Sequence, residues 1–139
     1  MKISKKVYTE MVAHAQLGFP NEACGILAGP KAGEGTEFFP MRNMDEASIS
    51  YFMDPKEQLQ VFKKMRDGGA HGHAPLQMIG IFHSHVASEA APSQKDIRLA
   101  FYPEVSYLIV SLSNKKNPVL RSFRIQDEKV SEEEIKIVG

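Results

Sequence analysis

The sequence contains only one cysteine, Cys24, among its 139 residues. A single cysteine cannot form an intrachain disulfide, and it cannot supply the several thiolates of a cysteine-rich zinc site. Cysteine usage of this kind fits a reducing compartment. We therefore predict a cytoplasmic protein in which Cys24 is a small buried apolar residue and not a nucleophile.

An excess of charge of one sign is also lacking, since Lys+Arg and Asp+Glu both number 17 and the formal net charge is zero. Domains that bind nucleic acids usually present a basic face, so this composition does not favour a nucleic-acid partner. No segment approaches the ~18 consecutive apolar residues of a membrane span. The lysines of residues 1–6 are not followed by an apolar stretch, which argues against a signal peptide.

What remains is a chain of ordinary globular composition, with 42% apolar and 24% charged residues. Its length predicts one domain over residues 1–139. Asp54-Pro55 has the pattern of a helix start, and Gly68 that of a helix end. Helices are predicted over residues 4–17, with Val7, Met11 and His14 or Ala15 on the inner face, and from 55 to about 67, with Leu59, Phe62 and Met65 on the buried face. A third helix is predicted from 93 and includes Leu99 and Phe101. Strands are predicted over 24–29, 36–41, 78–85, 105–112 and 119–125. This mixture predicts an α/β (α+β) fold in which helices pack on a sheet.

The most informative stretch is His83-Ser84-His85, which follows the apolar run of residues 78–82. That run predicts a buried strand, and residues two apart on a strand point to the same side. Both imidazoles can therefore face one ion. Asp96 lies eleven residues further on, one turn into the helix that Ser93 begins. Two imidazoles, one carboxylate and an open position are typical of a catalytic zinc site.

Three alternatives stay open on the residues alone. The Ser93-to-Asp96 pattern is also a capping box, which needs no metal. Glu89 is a rival third ligand, because His-x-His-x-x-x-Glu occurs in cupin barrels, although no further histidine follows His85. The second His-x-His, at residues 71–73, has no acidic residue or cysteine close after it, and we interpret it as a surface loop.

A hydrolase also needs a group that takes a proton from water and a donor near the developing oxyanion. Glu22 and Ser93 are the candidates for these two roles. The residues alone favour the interpretation of Glu22 as an exposed loop carboxylate after Pro20.

The segment Asn21-Glu22-Ala23-Cys24-Gly25-Ile26-Leu27 resembles the Glu-x-Cys-Gly-x-Leu block of the JAMM (MPN-plus) metalloproteases. His83-Ser84-His85, seven residues, Ser93, two residues and Asp96 resemble the signature of the same family. The resemblance covers essentially the whole chain and is closest to the small prokaryotic type. It departs at Val86, where many relatives carry proline.

The resemblance implies a curved mixed β-sheet flanked by helices, the cytidine-deaminase-like MPN architecture. It implies one Zn²⁺ held by His83, His85 and Asp96, with Glu22 as the general base that deprotonates a metal-bound water and Ser93 as a holder of the oxyanion. Members of the family hydrolyse the peptide or isopeptide bond after the C-terminal glycine of ubiquitin-like proteins.

Small relatives often act on sulfur-carrier proteins with a C-terminal Gly-Gly, and they often form homodimers. The resemblance therefore implies such a carrier as the partner. A non-catalytic MPN-type scaffold is the alternative function, and the intact set of Glu22, His83, His85, Ser93 and Asp96 speaks against it.

Overall fold

The computed structural model describes residues 1–69 and 74–139. The described helices are α1 (Lys5–Gly18), α2 (Pro55–Arg66) and α3 (Gln94–Arg98). The described strands are β1 (Lys2–Ser4), β2 (Cys24–Gly29), β3 (Glu34–Gly35), β4 (Glu37–Met41), β5 (Gln77–His85), β6 (Ser106–Ser111), β7 (Val119–Gln126), β8 (Lys129–Glu133) and β9 (Lys136–Val138). The predicted loop at residues 71–73 lies outside the described residues.

The strands form a six-stranded sheet in the order β4-β2-β5-β6-β7-β8 and a three-stranded sheet in the order β3-β1-β9. In the larger sheet β5 and β6 are parallel, and the other neighbouring pairs are antiparallel. A sheet of this mixed kind with helices packed on it is an α+β fold, as the sequence predicted. None of the described helices is long and apolar enough to cross a membrane.

Helix α1 forms because Ser4 caps its first turn and its apolar residues recur every four positions. The Ser4 side chain accepts a hydrogen bond from the Val7 amide at 3.1 Å. Val7, Met11 and Ala15 are buried, and they pack in one cluster with Leu27 and the other core residues on that face of the sheet. The predicted inner face of α1 is therefore confirmed.

Helix α2 begins as predicted, since Asp54 caps it and Pro55 occupies its first turn. The prediction of its buried face was partly wrong. Val61 and Met65 are buried, whereas Leu59 is 70% exposed and Phe62 is 37% exposed. Both sets of residues repeat at helical spacing, so the period alone does not decide which stripe meets the sheet.

The third helix and the chain end also differ from the sequence predictions. Helix α3 stops at Arg98, and Leu99 and Phe101, predicted as part of it, lie outside it and are exposed. The run of three glutamates at residues 132–134 predicts a solvated acidic face, and Glu132 and Glu134 are exposed. However, the Glu133 carboxylate accepts hydrogen bonds from the Ser106 and Ser122 hydroxyls, which tie β8 to the sheet.

The position of β5 decides where the predicted site lies. It runs between β2 and β6, and Cys24 at the start of β2 pairs with His83 near the end of β5. Because β2 and β5 are antiparallel, the residues just before Cys24 lie beside the last residues of β5. This register brings the segment that carries Glu22 to the histidines, although about 60 residues separate them in the chain.

Candidate metal centre

Three side chains that the sequence singled out meet at the end of β5. The Nε2 atoms of His83 and His85 are 3.2 Å apart. Oδ2 of Asp96 lies 3.2 Å from Nε2 of His83 and 3.0 Å from Nε2 of His85. Both imidazoles are buried, and Asp96 is half-buried. The three nominated ligand atoms therefore form one compact triangle.

The dimensions of this triangle fit a zinc ion. Ligands about 2.0–2.1 Å from a tetrahedral zinc are about 3.3 Å from one another, close to the distances found here. Among the described residues, these three are the histidine, cysteine or acidic groups that converge closely enough to hold a metal. The donor set also matches, since imidazole nitrogen and carboxylate oxygen are common zinc ligands.

Glu89 orients one imidazole through its main chain. Nδ1 of His85 lies 2.8 Å from the Glu89 carbonyl oxygen, which can only accept, so Nδ1 carries the proton. In the neutral ring, Nε2 of His85 then presents a lone pair toward Asp96 Oδ2. Two lone pairs 3.0 Å apart repel unless a proton or a cation lies between them. The Glu89 side chain is exposed and outside the triangle, which does not fit the cupin hypothesis.

Asp96 is held in place by the first turn of α3. The Ser93 amide donates to Oδ2 of Asp96 at 2.9 Å, and the Asp96 amide donates to Oγ of Ser93 at 3.0 Å. The predicted capping box is thus present, and its carboxylate oxygen is the one that faces the histidines. Burial alone would raise the pKa of Asp96, but the imidazoles of His83 and His85, when protonated, and the Ser93 amide hold it well below its usual range. The carboxyl group is therefore ionised at neutral pH.

Glu22 is only 7% exposed, so the interpretation as an exposed loop carboxylate is wrong. Its amide donates to the Ala47 carbonyl at 2.7 Å, and the side-chain amide of Asn43 donates to the Glu22 carbonyl at 2.9 Å. Burial raises the pKa of its carboxyl group to about 7, with the His85 charge acting in the opposite direction. The pKa of Glu22 therefore lies in the range where a side chain can both accept and release a proton at physiological pH.

Ser84 is the residue that ties Glu22 to the histidine strand. It points to the opposite face from its two histidine neighbours, as strand alternation requires. Its Oγ accepts from the Ala23 amide at 2.8 Å, and its own amide donates to the Ala23 carbonyl at 3.0 Å. The sequence alone gives no role for Ser84. The strand period could have indicated that it faces inward, but not that it meets Ala23.

We expect Ser84→Ala to lower the free energy of unfolding by about 1–3 kcal/mol, because it leaves the buried Ala23 amide without an acceptor. Urea denaturation measures this change. Ser84→Thr keeps the hydroxyl group and is the matched control, although its extra methyl group must fit a fully buried position. An alanine variant as stable as the wild type would show that the Ser84 hydroxyl does not anchor the Glu22 segment.

The loop that carries Tyr51 covers His83. The Tyr51 ring stacks on the His83 imidazole with centroids 4.7 Å apart and planes 24° apart. Asn43 holds this loop, since its side-chain oxygen accepts from the Phe52 amide and its nitrogen donates to the Ser50 carbonyl. An isolated asparagine in a polar segment predicts a turn at most, so the contact between Tyr51 and His83 has no signal in the sequence.

A cavity of about 360 Å³ opens beside the triangle. Glu22, His85 and Ser93 line it together, so the predicted base and oxyanion donor share one cleft with a predicted ligand. Oγ of Ser93 accepts from the Asp96 amide and keeps its own hydrogen available to donate. The rest of the lining is small or aliphatic: Ser48, Ile49, Val86, Ala87 and Ser88. The cleft thus combines a proton acceptor, a hydroxyl donor and a candidate metal site.

Comparison with known proteins agrees with this geometry. A protein-family model named Prok-JAB, described as prokaryotic homologs of the JAB domain, matches residues 4–126. The CysO-cysteine peptidase of Mycobacterium tuberculosis (strain ATCC 25618 / H37Rv) is 41% identical over 129 residues, which are 92% of this chain and 84% of that protein. The desampylase of Haloferax volcanii is 32% identical over 107 residues, 73% of each chain.

A solved structure is similar over almost the full length. The solution structure of protein DSY2949 from Desulfitobacterium hafniense has a TM-score of 0.85 and 44% sequence identity. The match covers 99% of this chain and 92% of that chain. The fold of this chain is therefore shared by a solved protein with substantial sequence identity.

Proposed function

Because the chain belongs to the family of prokaryotic homologues of the JAB domain, we propose that it is a zinc-dependent hydrolase of carrier-protein conjugates. It cleaves the peptide or isopeptide bond after the C-terminal glycine of a ubiquitin-like or sulfur-carrier protein. The observation that carries the proposal is the convergence of His83, His85 and Asp96 beside a cleft that Glu22 also lines. Residues 1–139 form one catalytic domain in this proposal.

His83, His85 and Asp96 hold the metal in this assignment. A zinc ion bound there supplies Lewis-acid chemistry, because it lowers the pKa of a water and polarises a carbonyl oxygen. The Ser93 amide and the Glu89 carbonyl fix the orientation of two of the ligands. Such partners of metal ligands raise metal affinity substantially.

Glu22 takes the proton from the attacking water and then delivers it to the leaving amine. Its place in the same cleft as His85 supports this role, and its pKa of about 7 lets one carboxyl group perform both transfers. Ser93 donates its hydroxyl hydrogen to the oxyanion that develops on the scissile carbonyl.

The depth of the ligands supports a substrate with a glycine end. The histidine side chains are almost completely buried, so the scissile carbonyl has to enter a narrow cleft. Glycine residues before that bond add no side chain and allow this close approach. The names of two relatives, a CysO-cysteine peptidase and a desampylase, fit substrates that are conjugates of small carrier proteins.

The proposal is tested with a panel of ubiquitin-like and sulfur-carrier proteins, each extended after its C-terminal Gly-Gly by one amino acid or by an isopeptide-linked peptide. We expect mass spectrometry to show loss of the added group after incubation with the purified protein, because the site supplies all the groups that hydrolysis needs. A chelator should stop the reaction, and added zinc should restore it. A protein that binds zinc and cleaves no adduct would support the scaffold function instead.

A further inference from the structure

Lys95 is a basic side chain next to the candidate metal site, and the reaction described above has no use for it. It lies between the capping Ser93 and Asp96 in the first turn of α3. A second cavity beside the candidate metal site is lined by Lys95 and Asp96 together with the Tyr51 loop. Neither this lining nor that of the larger cavity contains another lysine or any arginine. Lys95 is therefore the only lysine or arginine among the described residues that line these two cavities.

The Lys95 ammonium is not neutralised within the described part of the chain. The side chain is exposed, and no described carboxylate forms an ion pair with it. Its charge nevertheless reaches Glu22, where it lowers the pKa against the larger effect of burial. Ile49 lines both cavities, so the cavity that holds Lys95 adjoins the cleft that holds Glu22. The ammonium has no ion-pair partner among the described residues and can bind an anion.

The two kinds of substrate differ in charge close to the scissile bond. When a single amino acid follows the carrier's glycine, its free α-carboxylate is two bonds from the scissile nitrogen. An isopeptide bond to a protein lysine places no carboxylate there. A free carboxylate would have to approach the carboxylates of Glu22 and Asp96, which line the two adjoining cavities. A buried anion needs a charged partner.

We propose that the Lys95 ammonium binds the free α-carboxylate of the leaving amino acid, so that the enzyme prefers carrier–amino acid adducts to isopeptide conjugates. This inference rests on the proposed function and names its substrate class. Water adds its oxygen to the glycine carbonyl carbon, the C–N bond breaks, and the nitrogen keeps the electron pair and takes a proton from Glu22. The products are the carrier with a free glycine carboxylate and the amino acid.

The test uses one carrier from the panel with two matched ends, a C-terminal alanine and a C-terminal alaninamide. The two adducts differ only in the negative charge that Lys95 is proposed to bind. We expect kcat/KM of the wild type to be about tenfold higher for the alanine adduct, as for a hydrogen bond between charged groups. The preference should shrink as salt is raised, because an exposed cation is screened.

Variants at position 95 separate binding of the carboxylate from other effects, because the ratio is measured within each variant. Lys95→Met should bring the ratio of the two kcat/KM values close to one, and Lys95→Arg should keep most of the preference. Lys116→Met, in the exposed turn after β6, is the matched control and should keep the wild-type ratio. In the Glu22→Gln background, calorimetry should show the same preference as a ratio of dissociation constants.

Failure of the Lys95 role and failure of the proposed function would give different results. Equal kcat/KM for both adducts in the wild type, or an unchanged ratio in Lys95→Met, would overturn the role of Lys95 while leaving the hydrolase intact. A wild type that cleaves no adduct would overturn the proposed function and this inference with it.

Discussion

Glu22→Gln is expected to reduce kcat by about 10²–10⁴-fold, the usual contribution of a general acid–base group, while the protein keeps its metal. Glutamine has nearly the shape of glutamate but cannot take a proton from water. Position 22 also lies outside the triangle of His83, His85 and Asp96, so zinc binding should persist. Steady-state kinetics on the cleaved adduct and metal analysis of the purified variant measure the two effects.

The same substitution should stabilise the protein once a chelator has removed its metal. The pKa of Glu22 is raised from 4.5 to about 7 by burial. The folded state therefore favours the protonated form, so the stability that this group contributes is complete below pH 4.5 and is lost as pH rises through 7. At a pH of about 8 the carboxylate costs up to about 3 kcal/mol, which Glu22→Gln removes. Near pH 4.5 the two proteins should differ little.

Glu10→Gln is the matched control, because Glu10 is a surface carboxylate of α1 that pairs with Lys6. It should leave both kcat and the pH dependence of stability unchanged. Undiminished turnover in Glu22→Gln would remove Glu22 from the role of general base. A variant that lost zinc together with activity would instead indicate that Glu22 helps to hold the metal.

Asp96→Ala is expected to abolish both zinc binding and activity. The substitution removes the oxygen that lies within 3.2 Å of both imidazoles, and it leaves two neutral ligands for a doubly charged ion. It also removes half of the capping box, so the first turn of α3 should lose some stability. Metal content measured by mass spectrometry and activity after addition of excess zinc test this prediction.

Two further variants test whether Asp96 or Glu89 is the third ligand. Asp96→Asn keeps the shape of the cap but replaces a charged ligand by a neutral one, so it should weaken zinc binding more than it weakens the fold. Glu89→Gln should keep its metal, because Glu89 contributes its main-chain carbonyl to His85 and not its side chain. A metal retained in Asp96→Ala and lost in Glu89→Gln would revive the cupin-type ligand set.

The roles at the site come partly from residue spacing and partly from the resemblance to a known family. Spacing alone placed His83 and His85 on one side of a strand, because the strand period is two. It also placed Asp96 in the first turn of a helix, because serine at the preceding cap position favours that turn. Nothing in the spacing assigned Glu22, which the residues alone left as a loop carboxylate. Its role as general base was predicted from the family resemblance.

The predictions for the buried face of α2 and for Glu133 failed for the same reason. Leu59 and Phe62 of α2 follow the helical period as well as Val61 and Met65 do, but only the second pair meets the sheet. Glu133 looked like part of an acidic surface, although two serine hydroxyls of neighbouring strands bind it. In each case a periodic or compositional signal does not say which partner lies opposite.

The amino-acid sequence by itself determined the helix starts, the strand periods and the chemical types gathered near residues 83–96, because these depend on interactions between residues close in the chain. Only the tertiary structure decided that Glu22 lies in the cleft, that Ser84 anchors its segment and that Tyr51 covers His83. These arrangements depend on the antiparallel register of β2 against β5 and on the loop held by Asn43. Packing across the whole chain sets that register, so no local pattern contains it.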